Sequence, residues 1–142
     1  MEKMIDHKMN NEVGNWIKNY PINQYGEDYK LCVDLTYKYG VKNESVCRKW
    51  IGGLKNYLNK NGVDVDGFVV NEFDSNVINL HNHLLLWVNS SYSKSKNLIY
   101  NYWNKLGSVH IMKYDSNLNY SGYMCKFLGR NDSNYFDLIT NY

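Results

Sequence analysis

His81 and His83 stand two residues apart in the segment Leu80–Val88, and an apolar run follows them. Strand side chains alternate between faces, so on a β-strand both imidazoles project from one side and converge on one point, as two ligands of one metal ion must. Glu72 lies upstream in a second strand-like run, Phe68–Asp74, and shares parity with Phe68 and Val70. Two imidazoles and a carboxylate suit a divalent ion with positions left open for water or phosphate. Such an ion polarises a scissile phosphate and offsets charge in the transition state. Downstream, Tyr123 and Lys126 stand one helical turn apart. A metal site with a tyrosine and a lysine suits phosphodiester cleavage through a covalent tyrosyl intermediate.

Each role has competitors. Asp74 matches the parity of Glu72 nearer the turn, and Asp34 is a lesser third-ligand candidate on the first strand. The chain has 14 tyrosines, so most must serve packing. Tyr123, Lys126 and Arg130 recur at i, i+3 and i+7, giving one polar, cationic helix face opposite Met124, Phe127 and Leu128. Tyr120, one turn earlier, is the rival nucleophile. Lys126 is placed to hold a phosphate or steady a phenolate. Lys113 and Arg130 are the candidate DNA-contacting cations. His110, in mid-strand, reads as a packed or hydrogen-bonded histidine with no site role.

The elements that must position these groups follow from periodicity. Alternation over 29–38 predicts a strand with Leu31, Val33 and Leu35 on one face. Asn43-Glu44 opens a helix whose stripe is Val46, Trp50, Leu54, Tyr57 and Leu58, closed by Asn61-Gly62. Gly52-Gly53 inside it predicts a kink or a close backbone approach. Residues 67–74 and 80–88 read as an antiparallel hairpin turning near Ser75-Asn76. The second strand of that hairpin should be central and covered on both faces. Residues 92–106 form a helix with Leu98, Ile99, Tyr102, Trp103 and Leu106 as its stripe, ended by Gly107. A long strand over 108–115, a short helix over 121–128 and an edge strand over 135–140 complete the chain. Residues 1–28 read as an extension packing on the domain formed by 29–142, with Pro21 and Gly26 breaking any long element. The order β-α-β-β-α-β predicts a ferredoxin-like, RRM-like α+β fold: an antiparallel sheet with two helices on one face and the other face open for a site.

Composition narrows the class. At 142 residues the chain is expected to be one domain with a substantial core. A net charge of +2 is only mildly basic, so nucleic-acid binding would need a local patch. Cys32, Cys47 and Cys125 have no CxxC spacing and indicate neither a zinc site nor a disulfide framework, which fits a reducing intracellular setting. No apolar run approaches the roughly 20 residues that span a bilayer. The sequence also lacks a Gly-rich phosphate loop of the Walker type.

Over roughly residues 29 to 140 the chain resembles the HUH endonucleases, and among them the single-tyrosine initiators of rolling-circle replication. The resemblance rests on His81-Asn-His83 and on Tyr123-Met-Cys-Lys126. Asn82 departs from the family pattern, which has an apolar residue between the histidines. The three letters His-Asn-His do not indicate an HNH nuclease, whose residues are dispersed over a hairpin and a helix. The resemblance implies a replication initiator that nicks an origin stem-loop in single-stranded DNA through Tyr123. The products would be a 5′-phosphotyrosyl bond and a free 3′-OH. It implies Mn²⁺ or Mg²⁺ held by Glu72, His81 and His83, although the ligand set alone would also admit Zn²⁺. A host or viral helicase and polymerase, and a second copy in a homodimer, are the expected partners. The expected location is the host cytoplasm, or the nucleus of a eukaryotic host. The alternatives are a single-tyrosine transposase or a relaxase of the same fold and, in another class, a non-catalytic RRM-like nucleic-acid-binding protein.

Overall fold

The computed structural model describes residues 2–38, 44–74, 79–120 and 135–142. The segment carrying Tyr123, Lys126 and Arg130, with its expected helix over 121–128, lies outside the described residues, as does the turn at Ser75-Asn76.

The elements run α1 (Glu2–Tyr25), β1 (Leu31–Leu35), α2 (Glu44–Lys60), β2 (Val65–Asp74), β3 (Asn79–Val88), α3 (Tyr92–Trp103), β4 (Val109–Lys113) and β5 (Tyr135–Leu138), then a single 3-10 turn, Ile139–Asn141. The sheet order is β4-β1-β3-β2-β5, and every pairing among these strands is antiparallel. Its first four strands have the ferredoxin-like order, so the fold is α+β as the element pattern predicts. β3 lies in the middle, paired to β1 on one side and to β2 on the other.

Parity divides the sheet. Leu31, Val33 and Leu35 of β1 and Leu80, Leu84 and Leu86 of β3 point toward α2 and α3, where they meet Cys47, Ile51, Leu54, Leu58, Ile99 and Trp103 in the main core. The buried stripe of α2 is therefore Cys47, Ile51, Leu54 and Leu58, and Val46, expected within it, is 37% exposed. The i, i+4, i+7, i+11 spacing of those four residues defines the buried face, and a cysteine supplies its first apolar member. Gly53 reflects close approach: a Cβ there would collide with the Tyr102 hydroxyl of α3. α3 ends at Trp103, earlier than its periodicity suggests, and Asn104 caps it. Gly107 lies beyond that end, and its requirement is space: a Cβ there would run into the Thr36 carbonyl. β4 is shorter than the expected 108–115 because, at the sheet's edge, it pairs with the five-residue β1 alone.

Asn82, which projects to the helix side between the two histidines, is fully buried. It accepts from the Tyr37 hydroxyl at 2.6 Å and donates to Asn71 Oδ1 and to Cys47 Sγ, the latter at 3.2 Å. Asn71 in turn donates to the Tyr142 hydroxyl at 2.8 Å. A closed set of partners removes the usual penalty for an amide in a core.

The opposite face carries α1. Pro21 does not break that helix, contrary to the expectation from sequence. Proline removes the N–H that would bond the carbonyl four residues back. That carbonyl belongs to Ile17, and the Tyr29 hydroxyl donates to it instead. Ile17, Tyr29, Phe68, Val70 and Leu85 form the second core beneath the helix, with Trp16 and Tyr20 edge-on to Phe68. The end of α1 is clasped by Asp66, a buried carboxylate that accepts from the hydroxyls of Tyr20 and Tyr25 and from the Gly67 N–H.

Asn82→Leu should destabilise the protein by about 1–3 kcal/mol, because it strips a partner from the buried Tyr37 hydroxyl and from Asn71. Denaturant unfolding measures this, and a variant as stable as the parent would refute the network's role. Tyr29→Phe should lower stability by about 1 kcal/mol through the orphaned Ile17 carbonyl.

Candidate active site

The face that carries α1 is covered only in part. Along β3, Leu85 lies under the helix, while His83 and His81 continue on the same face toward the β2–β3 turn. The β2–β3 register sets Glu72 directly across from His81, and β1 sets Asp34 across from His83. Asp34 also faces His110 of β4. Four strands thus bring three histidines and two carboxylates to one region.

His83 is held between the two carboxylates. Its Nδ1 is 2.7 Å from Asp34 Oδ1, and its Nε2 is 2.8 Å from Glu72 Oε2. The imidazole is 12% exposed, against 22% for Glu72 and 56% for Asp34. Burial by itself would lower its pKa. The hydrogen bonds and charges of Asp34 and Glu72 reverse that effect and leave it raised. The cation is therefore the favoured form of His83 in this arrangement, and a metal ion at either ring nitrogen would displace a proton.

Among the described residues, no three His, Cys, Asp or Glu side chains are spaced as a ready-made ligand set. The donor chemistry nevertheless fits a divalent ion. Nε2 of His83 and the Glu72 carboxylate already face each other, and His81 projects from the same face one register pair away. Asp34 takes the other ring nitrogen, the role that orients a ligating histidine by fixing its tautomer. Asp34 thus stands as an orienting group, a role that neither its type nor its spacing announces. The signal that could have found it is the shared parity of Asp34, Glu72 and His83 on three strands, legible only once those strands are paired.

Beside His83 a pocket of about 390 Å³ opens, with Asp34, His83, His110 and Tyr120 on its walls. His110 is exposed and faces this pocket, where the sequence suggested a packed strand histidine. The Tyr120 ring lies 5.6 Å from that of Tyr114. Partial desolvation, then the nearby Cys32, Asp115 and Asp34, hold its hydroxyl above the usual tyrosine range, which disfavours its phenolate. Lys113 pairs with Leu31 in the register, so it belongs to the face of α2 and α3 and not to the face of His83. Asp74 belongs to the same strand as Glu72, two residues nearer the turn.

An antiparallel sheet of ferredoxin-like order, bearing an imidazole–carboxylate cluster and a pocket on its less covered face, defines an α+β protein of the RRM-like class with one concentrated polar site. The family model of the Replication-associated protein ORF2 type matches residues 30–132, most of the chain. The chain belongs to this family of replication-associated proteins, which places it among viral and plasmid replication proteins. No curated protein matches it.

The raised pKa of His83 gives a signed expectation. A histidine whose pKa rises on folding contributes stability that is full below its unfolded value, about 6.5, and is lost as pH rises through the folded value. The stability advantage of the parent over His83→Gln should therefore be largest between about pH 5 and 6.5 and shrink as pH rises beyond. Unfolding curves across pH read this directly, and an advantage that grows with pH would contradict the arrangement.

Proposed function

We propose that this replication-associated protein is a metal-dependent endonuclease and strand-transferase of the HUH type. It nicks a rolling-circle origin in single-stranded DNA. The observation that carries the reading is His83, held between Asp34 and Glu72 on an accessible sheet face beside a pocket that Tyr120 lines.

In this reading Glu72, His81 and His83 hold Mn²⁺ or Mg²⁺, and Asp34 fixes the ring of His83. The bound ion would polarise the scissile phosphate and stabilise negative charge on its oxygens. Tyr123 is the nucleophile. Its Oη forms a bond to phosphorus, the bond from phosphorus to the 3′-oxygen breaks, and that oxygen takes up a proton to become the free 3′-OH. The phosphotyrosyl linkage retains the energy of the broken bond, so the strand can later be rejoined. Lys126 neutralises the phosphate or the phenolate, and Arg130 contacts the DNA backbone. On the helical period read from the sequence, Tyr123 stands one turn beyond Tyr120, which supports a tyrosine reaching this pocket. The raised pKa of Tyr120 favours Tyr123 over it as the attacking group. Strand separation and synthesis would fall to a separate helicase and polymerase.

The test is incubation with single-stranded origin-like oligonucleotides and Mn²⁺, read on a denaturing gel for a covalent protein–DNA adduct. The parent should form it, whereas Tyr123→Phe and His81→Ala should not, with losses of at least about 100-fold. An adduct that survives Tyr123→Phe but not Tyr120→Phe would move the nucleophile one turn back. Tight, metal-independent binding without an adduct would replace the enzyme by a binding module.

A further inference from the structure

The pocket beside His83 has two chemically different sides. Cys32, Leu85, Met112 and Leu118 supply an apolar side, and Asp34, His83, His110 and Asn119 supply a polar one. Met112 and Leu118 are 38% and 51% exposed, large apolar groups left facing solvent on the rim of a concavity. Burial pushes the Cys32 thiol up to about 12, so it acts as a neutral apolar wall and not as a nucleophile. The volume, about 390 Å³, falls in the range of small-ligand sites.

A phosphodiester alone does not match this lining, because its anionic oxygens would meet the Met112–Leu118 side and the two carboxylates. A flat heteroaromatic group matches both sides. Its face can lie against the thioether of Met112, the leucines and the Tyr120 ring. Its edge can exchange hydrogen bonds with amide and imidazole groups on the polar side.

We infer that this pocket seats one unpaired base of single-stranded DNA, next to the phosphate at the His83 site, and so makes Met112 and Leu118 determinants of DNA affinity. The inference rests on single-stranded DNA being the substrate, as proposed above, but not on any bond being broken. Base–aromatic stacking with apolar support is tolerant of sequence, and the edge contacts would add preference. Because the base shares a wall with His83, seating it also fixes which phosphate is presented to the tyrosine.

The test uses the full chain in the presence of EDTA, so that nicking plays no part. The Met112 methyl resonance, assigned with Met112→Leu in methionine-methyl-labelled protein, is followed against each of the four deoxynucleoside 5′-monophosphates, with inorganic phosphate as control. At least one nucleotide should shift it upfield by ring current, and phosphate should not. In parallel, Met112→Trp, which fills the pocket, should weaken binding of short single-stranded oligonucleotides about tenfold. A Met112 methyl unmoved by all four nucleotides, or moved equally by phosphate, would overturn the inference, as would unchanged oligonucleotide affinity in a folded Met112→Trp. Either result leaves adduct formation untouched. A protein that forms no adduct yet shows the ring-current shift would keep the base pocket and lose the nuclease.

Discussion

Strand β3 serves two environments at once, and most of the molecule follows from that constraint. It is the middle strand of five, so both its faces are occupied and both its edges are paired. A strand side chain can face only one side, and the alternation is strict. His81, His83 and Leu85 therefore share the face that meets α1 and the site. Asn82, Leu84 and Leu86 share the face that meets α2 and α3. A slip of one residue would bury both imidazoles in the main core and expose its leucines. The ten paired positions between β2 and β3 make that slip prohibitive, and the same register brings Glu72 within 2.8 Å of His83. Asn82 belongs to this logic. It places a fully partnered amide where an apolar residue would pack without direction, and ties β3 to β1, β2 and α2 through Tyr37, Asn71 and Cys47.

The N-terminal helix decides how much of the site face remains open. Its packing depends on aromatic side chains that also solve polar problems. Tyr29 fills the second core and satisfies the carbonyl that Pro21 abandons. Tyr20 and Tyr25 satisfy the buried Asp66, and the cost of ionising a phenol there, from burial first and then from that carboxylate, pushes the Tyr20 hydroxyl up to about 12. Tyr25 also stacks on Trp87 at 3.7 Å. The helix thus covers Phe68, Val70 and Leu85 but leaves His83, His110 and Met112 beside a pocket. Among the described residues no helix is long and apolar enough to cross a membrane, and α1 spends its apolar side on this sheet.

The site is electrostatically balanced by a proton where a divalent ion would otherwise do the same work. Two carboxylates flank one imidazole, and the cationic form of that imidazole neutralises part of their charge. A metal ion would replace the proton with a larger positive charge at the same point, which is why the cluster reads as a ligand set although it is closed by direct hydrogen bonds. The raised pKa of His83 follows from the same competition.

Much of this was readable from residues in a row. Alternation and helical spacing identify every described strand, both crossover helices and the ferredoxin-like order, because those patterns are local and repeat. The parity of His81 and His83 follows from a single strand, and so does that of Glu72. What the sequence misjudged depended on partners distant in the chain. Pro21 looked like a break because nothing nearby supplies a donor for Ile17, whereas Tyr29 does so once the chain folds back. Val46 looked buried because helical spacing does not say where a stripe is centred. His110 looked like core because an isolated strand does not reveal that it will be an edge. Asp34 and His83 are 49 residues apart, and their 2.7 Å contact exists only because β1 and β3 pair in one register. Period and residue type determined the elements and the kind of chemistry, whereas strand pairing, which couples residues far apart in sequence, decided which groups share a site.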